Sequence, residues 1–240
     1  MSLTPSRVAT TPYLPSHLSP SQLSCYALCP AIYHERYVQK RYPPPEPERL
    51  FGIAVHAALE AHYRGQDDDL VFLKVWRESL ATLDTSLYPI IDNLKRRGLE
   101  VLSQVRDLNL AGEPERRITT LVAGISIPIF GYVDLWGDNL IVDFKTSGFG
   151  WTQSKADAQI FQPAIYSHAY ALEHDGQLPE FKFVVIPRID APIQVVDGTR
   201  TYRQITEAFQ QARGIHQAIE AQEWACRCDG RFHLDQEAAA

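Results

Sequence analysis

Gly131-Tyr132-Val133-Asp134-Leu135-Trp136, followed by Leu140-Ile141-Val142-Asp143-Phe144-Lys145-Thr146-Ser147, carries the clearest structural pattern in the chain. Both runs are β-branched, aromatic or aliphatic, and Gly137-Asp138-Asn139 between them makes a turn, so together they predict a hairpin. Each strand buries one aspartate among apolar neighbours. Asp143 and Lys145 are two apart and project from the same face of one strand. A turn this short brings Asp134 close to Asp143, and two such carboxylates repel in a low-dielectric site unless a cation lies between them. A hard divalent ion with oxygen ligands, such as Mg²⁺, is the natural occupant. Taken by themselves, Asp143 and Lys145 read more simply as the solvent face of a half-exposed hairpin.

The surrounding sequence frames this hairpin. Upstream, Ser19 is a candidate N-cap and Pro20 suits a first helical turn, with Leu23, Tyr26, Ala27 and Leu28 at helical spacing. Pro43-Pro44-Pro45-Glu46-Pro47 is a stiff connector, after which helices are expected at Arg49–Tyr63, Leu70–Leu83 and Tyr88–Asp107. The period then changes, and Ile118–Ala123, Ile125–Leu135 and Asn139–Thr146 read as a three-stranded meander. Downstream, a helix over Ala156–Glu173 should be kinked or restarted by Pro163. Short strands at Phe181–Pro187 and Pro192–Val196 and an amphipathic helix over Thr201–Glu223 follow. The economical solution is an α/β fold, a sheet with helices packed on it.

Composition agrees with one globular domain: 240 residues, 45% hydrophobic and 22% charged. No run approaches the ~18 apolar residues of a membrane span, and the first 17 residues contain no apolar signal core. Four cysteines are too few for a disulfide scaffold. These features predict a soluble, cytoplasmic protein. The net charge of −6 argues against a protein that simply coats nucleic acid, though not against an enzyme that gathers carboxylates around a metal. There is no Gly-Lys dipeptide, hence no phosphate loop and no helicase motor of the chain's own, and Gly148-Phe149-Gly150 is no dinucleotide fingerprint.

Other weak signals accompany the hairpin. His56 lies in Phe51-Gly52-Ile53-Ala54-Val55-His56, where a lone helical histidine is more often a packing residue than a ligand. Gln162 and Tyr166 are four apart and share one helical face. Glu115, in Gly112-Glu113-Pro114-Glu115-Arg116-Arg117, lies upstream of the first strand; a solvated loop charge is the simpler reading, an acidic residue near the site the alternative.

Taken in order, these pieces resemble the RecB-type branch of the PD-(D/E)XK nuclease superfamily. Leu18-Ser19-Pro20-Ser21-Gln22-Leu23 and Cys29-Pro30 are similar to that family's opening helix and Cys-Pro step. Phe51 to His56 resembles its Gly-Thr-x-x-His motif, with Ile53 in the usual threonine place. Gly131 to Asp134 and Asp143 to Ser147 resemble its two catalytic strands, and Gln162 to Tyr166 its Gln-x-x-x-Tyr helix. The resemblance implies a restriction-endonuclease-like core: a central mixed β-sheet flanked by helices, with a helical N-terminal part. It divides the chain into a flexible arm at 1–18 and one nuclease domain at 19–240, with a helical lobe near 49–110, a catalytic core near 115–223 and a cysteine-bearing segment at 224–240.

It also implies roles. His56, Asp134, Asp143 and the backbone carbonyl of Phe144 would bind Mg²⁺ or Mn²⁺, Lys145 would orient the attacking water or stabilise the developing charge, and Gln162 and Tyr166 would support the site. Many relatives hold an iron–sulfur cluster on one cysteine before the core and three after it. Here Cys29 matches the early position, Cys226 and Cys228 the late ones, and Cys25 offers a fourth thiolate outside the usual spacing. The implied substrate is DNA, as single strands or ends, with a separate helicase or other recombination, phage or CRISPR proteins as partners. Lys95, Arg96, Arg97, Arg116 and Arg117 are the basic groups best placed for phosphates, or else a solvated face. A catalytically quiet DNA-binding or scaffolding module is the competing reading; retention of Asp134, Asp143 and Lys145 favours the enzyme.

Overall fold

Alternating apolar runs build a single five-stranded mixed sheet in the computed structural model, which describes residues 13–81, 83–84 and 88–228. The strands are β1 (Glu113–Thr120), β2 (Ile129–Gly137), β3 (Leu140–Ser147), β4 (Glu180–Pro187) and β5 (Gln194–Asp197), and they lie in sequence order across the sheet. Neighbours are antiparallel except β3 and β4, which run parallel from Leu140 opposite Glu180 to Ser147 opposite Pro187. A parallel pair needs a crossover. It is made by α6 (Gln153–Asp157) and α7 (Phe161–Glu173), so the helical stretch is restarted as Pro163 suggests, with Pro163 in the first turn of the second helix.

Residues of alternating parity on β3 serve two cores. Ile141 joins a core formed with α1 (Pro20–Leu28), α2 (Pro30–Tyr33), α7 and α8 (Tyr202–Glu220). Val142 and Phe144 join the other, packed beneath α3 (Pro47–Tyr63), α4 (Asp68–Leu80) and α5 (Ile91–Arg106). Ser19 caps α1 by accepting the Gln22 N–H, as its sequence predicts. A π-helical turn over His34–Val38 follows α2. The meander is present, but its middle strand starts at Ile129; the preceding loop turns at Gly124 and is pinned where the Ser126 N–H donates to His216 Nε2 at 3.1 Å. The arm ends before Leu18, which is fully buried and exchanges backbone hydrogen bonds with Pro128 and Phe130 at 3.0 Å. Residues 1–12 and 229–240 of the expected arm and C-terminal segment lie outside the described residues. Among the described residues no helix is long and apolar enough to cross a membrane.

What positions the site is a split in the sheet. β2 and β3 pair only over Leu135–Val142, Trp136–Ile141 and Gly137–Leu140; beyond that β2 stays with β1 while β3 follows β4. Asp134 and Asp143 are the next residues along each strand, so they face each other where the strands part.

Candidate metal centre

Asp134 bridges the split: its Oδ2 accepts the Phe144 N–H at 2.7 Å. Phe144, whose carbonyl is the expected ligand atom, holds Asp134 through its N–H. His56 approaches from α3, its Nδ1 3.7 Å from Asp134 Oδ1. That approach depends on Gly52 one turn earlier, where a Cβ would sit 2.8 Å from Thr146 Oγ1, so only a glycine lets α3 settle this close to β3.

The third member of the cluster is Glu115. It is not a loop charge ahead of the first strand. It lies inside β1, between Pro114, paired with Leu135, and Arg116, paired with Val133, and so stands across from Asp134. Its φ of +51° is the left-handed conformation, uncommon for a residue with a side chain. One ligand atom each from His56, Glu115 and Asp134 lie within 4.8 Å of one another.

Asp143 is fully buried and belongs to a second set of contacts. Its Oδ1 accepts from the Gln162 side-chain amide, and its Oδ2 lies 2.6 Å from Lys145 Nζ. Lys145 Nζ in turn donates to Gln162 Oε1 at 2.7 Å, which closes a triangle of side chains from β3 and α7. Lys145 meets Oδ2 as an ion pair without hydrogen-bond alignment, so this buried oxygen keeps an acceptor position unfilled. Tyr166 donates to the Tyr132 carbonyl at 2.7 Å and packs where a Gly131 Cβ would lie 2.9 Å from its Oη; it clamps β2 to α7.

Burial is the main cause raising the Asp134 carboxyl well above its usual range, reinforced by Asp143 and Glu115 and opposed by Lys145 and the Phe144 N–H. Glu115 is raised by burial, then by Glu60 and Asp143, against Arg64. Burial likewise lowers His56, which favours the neutral imidazole that a metal requires. A partly buried cluster of carboxylates with one imidazole, beside an unfilled oxygen of the buried Asp143, fits a hard divalent cation, and the nitrogen ligand suits Mn²⁺ better than Mg²⁺.

The cysteines converge in part. Cys29 Sγ lies 3.7 Å from Cys226 Sγ, Cys226 and Cys228 are 3.6 Å apart, and one sulfur from each falls within a 4.8 Å group that does not include Cys25. Burial raises Cys29, but N–H groups of Arg227, Ile32 and Ala31 and the Cys228 thiol outweigh it and bring the thiol down to about 6.

The basic groups separate. Arg97 is buried, its guanidinium donating to the carbonyls of Pro187, at 2.9 Å, and Ala191, so it cannot track phosphates. Arg96 pairs with Glu100, and Arg116 with Glu113 and Glu173 while lying over the Trp136 ring. Lys95 is exposed on α5, whereas Arg117 lies over Phe130, 5.2 Å from the ring centroid, beside the sheet split.

A solved structure of a candidate exonuclease from Eubacterium rectale is similar over 94% of this chain and 89% of its own, with a TM-score of 0.65 at 11% identity, which establishes a shared fold. A second structure, SSO0001, is 16% identical over 75% of this chain and 80% of its own, but its TM-score of 0.34 carries no argument. No curated protein matches the sequence significantly. The family model described as the PD-(D/E)XK nuclease superfamily matches residues 17–236, nearly the whole chain and every residue of the centre above, and the chain belongs to that superfamily.

Proposed function

We propose that the chain is a metal-dependent deoxyribonuclease of RecB type, hydrolysing phosphodiester bonds in single strands or at DNA ends. The observation that carries this reading is the convergence of His56, Glu115 and Asp134 beside the Asp143–Lys145 pair. Ordered motifs from the opening helix to Gln162–Tyr166 support the RecB branch. The description of the Eubacterium rectale neighbour supports an exonuclease.

His56, Glu115 and Asp134, with the unfilled oxygen of Asp143, would hold Mg²⁺ or Mn²⁺. When bound, such an ion polarises a phosphoryl oxygen and makes a water acidic enough to attack. Lys145 is held by Asp143 and Gln162 so that its ammonium is fixed before substrate arrives, and a preorganised cation stabilises charge developing on the phosphate. Gln162 orients both partners, and Tyr166 fixes the strand that carries Asp134. Duplex unwinding falls to a separate helicase or another recombination or CRISPR protein, since the chain has no motor. The cysteines supply three converging thiols of the four that an iron–sulfur cluster takes; visible absorbance of protein purified without oxygen tests whether one forms.

The test is cleavage of a labelled oligonucleotide with Mn²⁺, Mg²⁺ or chelator. Asp134→Asn and Asp143→Asn should each abolish metal-dependent cleavage while thermal unfolding stays cooperative. Wild-type rates in both variants would overturn the assignment.

A further inference from the structure

Between α1 and β2 a basin of about 630 Å³ runs down to the candidate metal centre, with Lys145, Gln162 and Tyr166 at its inner end. Ser21, Ser24, Arg36 and Tyr132 are among the residues that line it. Among the described residues no carboxylate lines it, in a chain with 29 acidic side chains against 23 basic ones. On the other side of β3, the hollow that His56 and Thr146 line carries Glu46 and Glu48 together with Arg49 and Arg188, two charges of each sign. The basin, by contrast, offers a polyanion the cations Arg36 and Lys145 with no opposing carboxylate among its described lining residues.

Charge and aromatic surface come together at the rim of the carboxylate-free basin. His17 stacks on Phe130 with ring centroids 3.9 Å apart, and Arg117 lies over the same ring. Burial lowers His17, and the charges of Lys40 and Arg117 lower it further, so these cations converge on one spot. Tyr132 is 50% exposed although it sits on a central strand and its own carbonyl is tied to Tyr166. An exposed ring on a rigid strand, beside clustered cations and a lysine at the metal centre, has the composition of a single-strand track: backbone charges neutralised, one base stacked.

We infer that this basin is where the substrate lies, that it takes a single strand and not a duplex, and that Tyr132 is the base-stacking residue that selects it, an inference that rests on the nuclease reading above. Inside a duplex both faces of a base are covered by its stacked neighbours, so only an unstacked base of a single strand offers Tyr132 a face. Arg36 and Arg117 are the phosphate contacts, and the basic run on α5 plays no part.

The test measures binding of a fluorescent oligothymidine and of a blunt hairpin duplex in Ca²⁺, with cleavage of the same oligothymidine in Mn²⁺ followed separately. Tyr132→Thr, which keeps strand propensity but removes the ring, should weaken single-strand binding about 5- to 150-fold, the range of one lost stack. Tyr132→Phe should restore binding. Arg36→Ala and Arg117→Ala should each reduce the salt dependence by about 0.7 in logarithmic slope. Doubly substituted Lys95→Ala and Arg96→Ala protein should match wild type. Unchanged binding in Tyr132→Thr, or loss of slope in the α5 variant instead, would overturn the basin. An equal loss on the hairpin would overturn single-strand selection. Wild-type protein that binds in this pattern but never cleaves would leave the basin standing and sink the nuclease reading, so the two failures are distinct.

Discussion

Glu115 and Asp134 show how one residue's environment sets the chemistry of the centre. Both carboxyls are raised by burial and by like charges, so the metal-free fold carries an electrostatic penalty that grows as they ionise. Below pH 3.8, the ordinary value for aspartate, Asp134 is protonated in both folded and unfolded chains and the shift contributes nothing. Above it, the unfolded chain releases its proton first, so the folded state binds more protons and stability falls with rising pH until the folded carboxyl ionises too. The metal-free thermal midpoint should therefore fall more between mildly acidic and mildly alkaline pH in wild type than in Asp134→Asn, and Mn²⁺ should restore most of the difference at the alkaline end. Superimposable midpoint–pH curves for the two proteins would refute the charge clustering. Glu115→Gln should weaken Mn²⁺ binding and slow cleavage at limiting metal, because the side chain loses its ligand charge but keeps its size. Calorimetric titration showing wild-type Mn²⁺ affinity would return Glu115 to the role of a solvated charge.

Elements were legible in the sequence where side-chain period carried the information, and illegible where it did not. The change from helical spacing to alternation near Ile118 locates the meander, and Asp143 and Lys145 share a face as two-residue spacing requires. Nothing in Glu113-Pro114-Glu115-Arg116 announces a left-handed residue inside a strand, so the conformation that turns Glu115 toward Asp134 had no signal. Arg97 is different, for its signal was present. Leu94, Arg97, Gly98, Val101, Leu102 and Val105 form one buried stripe of α5, so the basic run 95–97 turns its last member into the core. Arg97→Met should leave the Pro187 and Ala191 carbonyls without donors, at about 1–3 kcal/mol for each unsatisfied group, and should lower thermal stability without altering the salt dependence of DNA binding. On the same stripe Gly98→Ala gains about 1 kcal/mol of helix propensity, yet its Cβ would fall 2.0 Å from the ring of Phe72, which is fully buried and stacked on Trp76. Overpacking of about 1–3 kcal/mol outweighs that gain, so the melting temperature should drop by a few degrees; an increase would mean that the α4–α5 contact yields more easily than its packing indicates.

Across the whole molecule, the two ends of the described chain are joined on one side of the substrate basin. Tyr26 Oη of α1 donates to the Glu223 carbonyl at 2.7 Å, and the Trp224 ring lies against Tyr33, His34 and Tyr26 at centroid distances of 5.9, 5.2 and 6.3 Å. Beside them the Cys29 and Cys226 sulfurs meet. This aromatic and thiol contact fastens the segment after α8 onto α1, α2 and the π-helical turn that carries Arg36. The metal centre is built from α3, α7 and the sheet, so it does not depend on that fastening, whereas the basin wall does. Trp224→Ala removes three aromatic contacts worth about 0.5–1.5 kcal/mol each, and for a domain of this size each kcal/mol lowers the melting temperature by about 2–4 °C. The variant should therefore melt several degrees lower and bind single strands more weakly in Ca²⁺, while its Mn²⁺ affinity stays at the wild-type value. Equal losses of metal and DNA affinity would show that the C-terminal fastening supports the whole fold and not the basin wall alone.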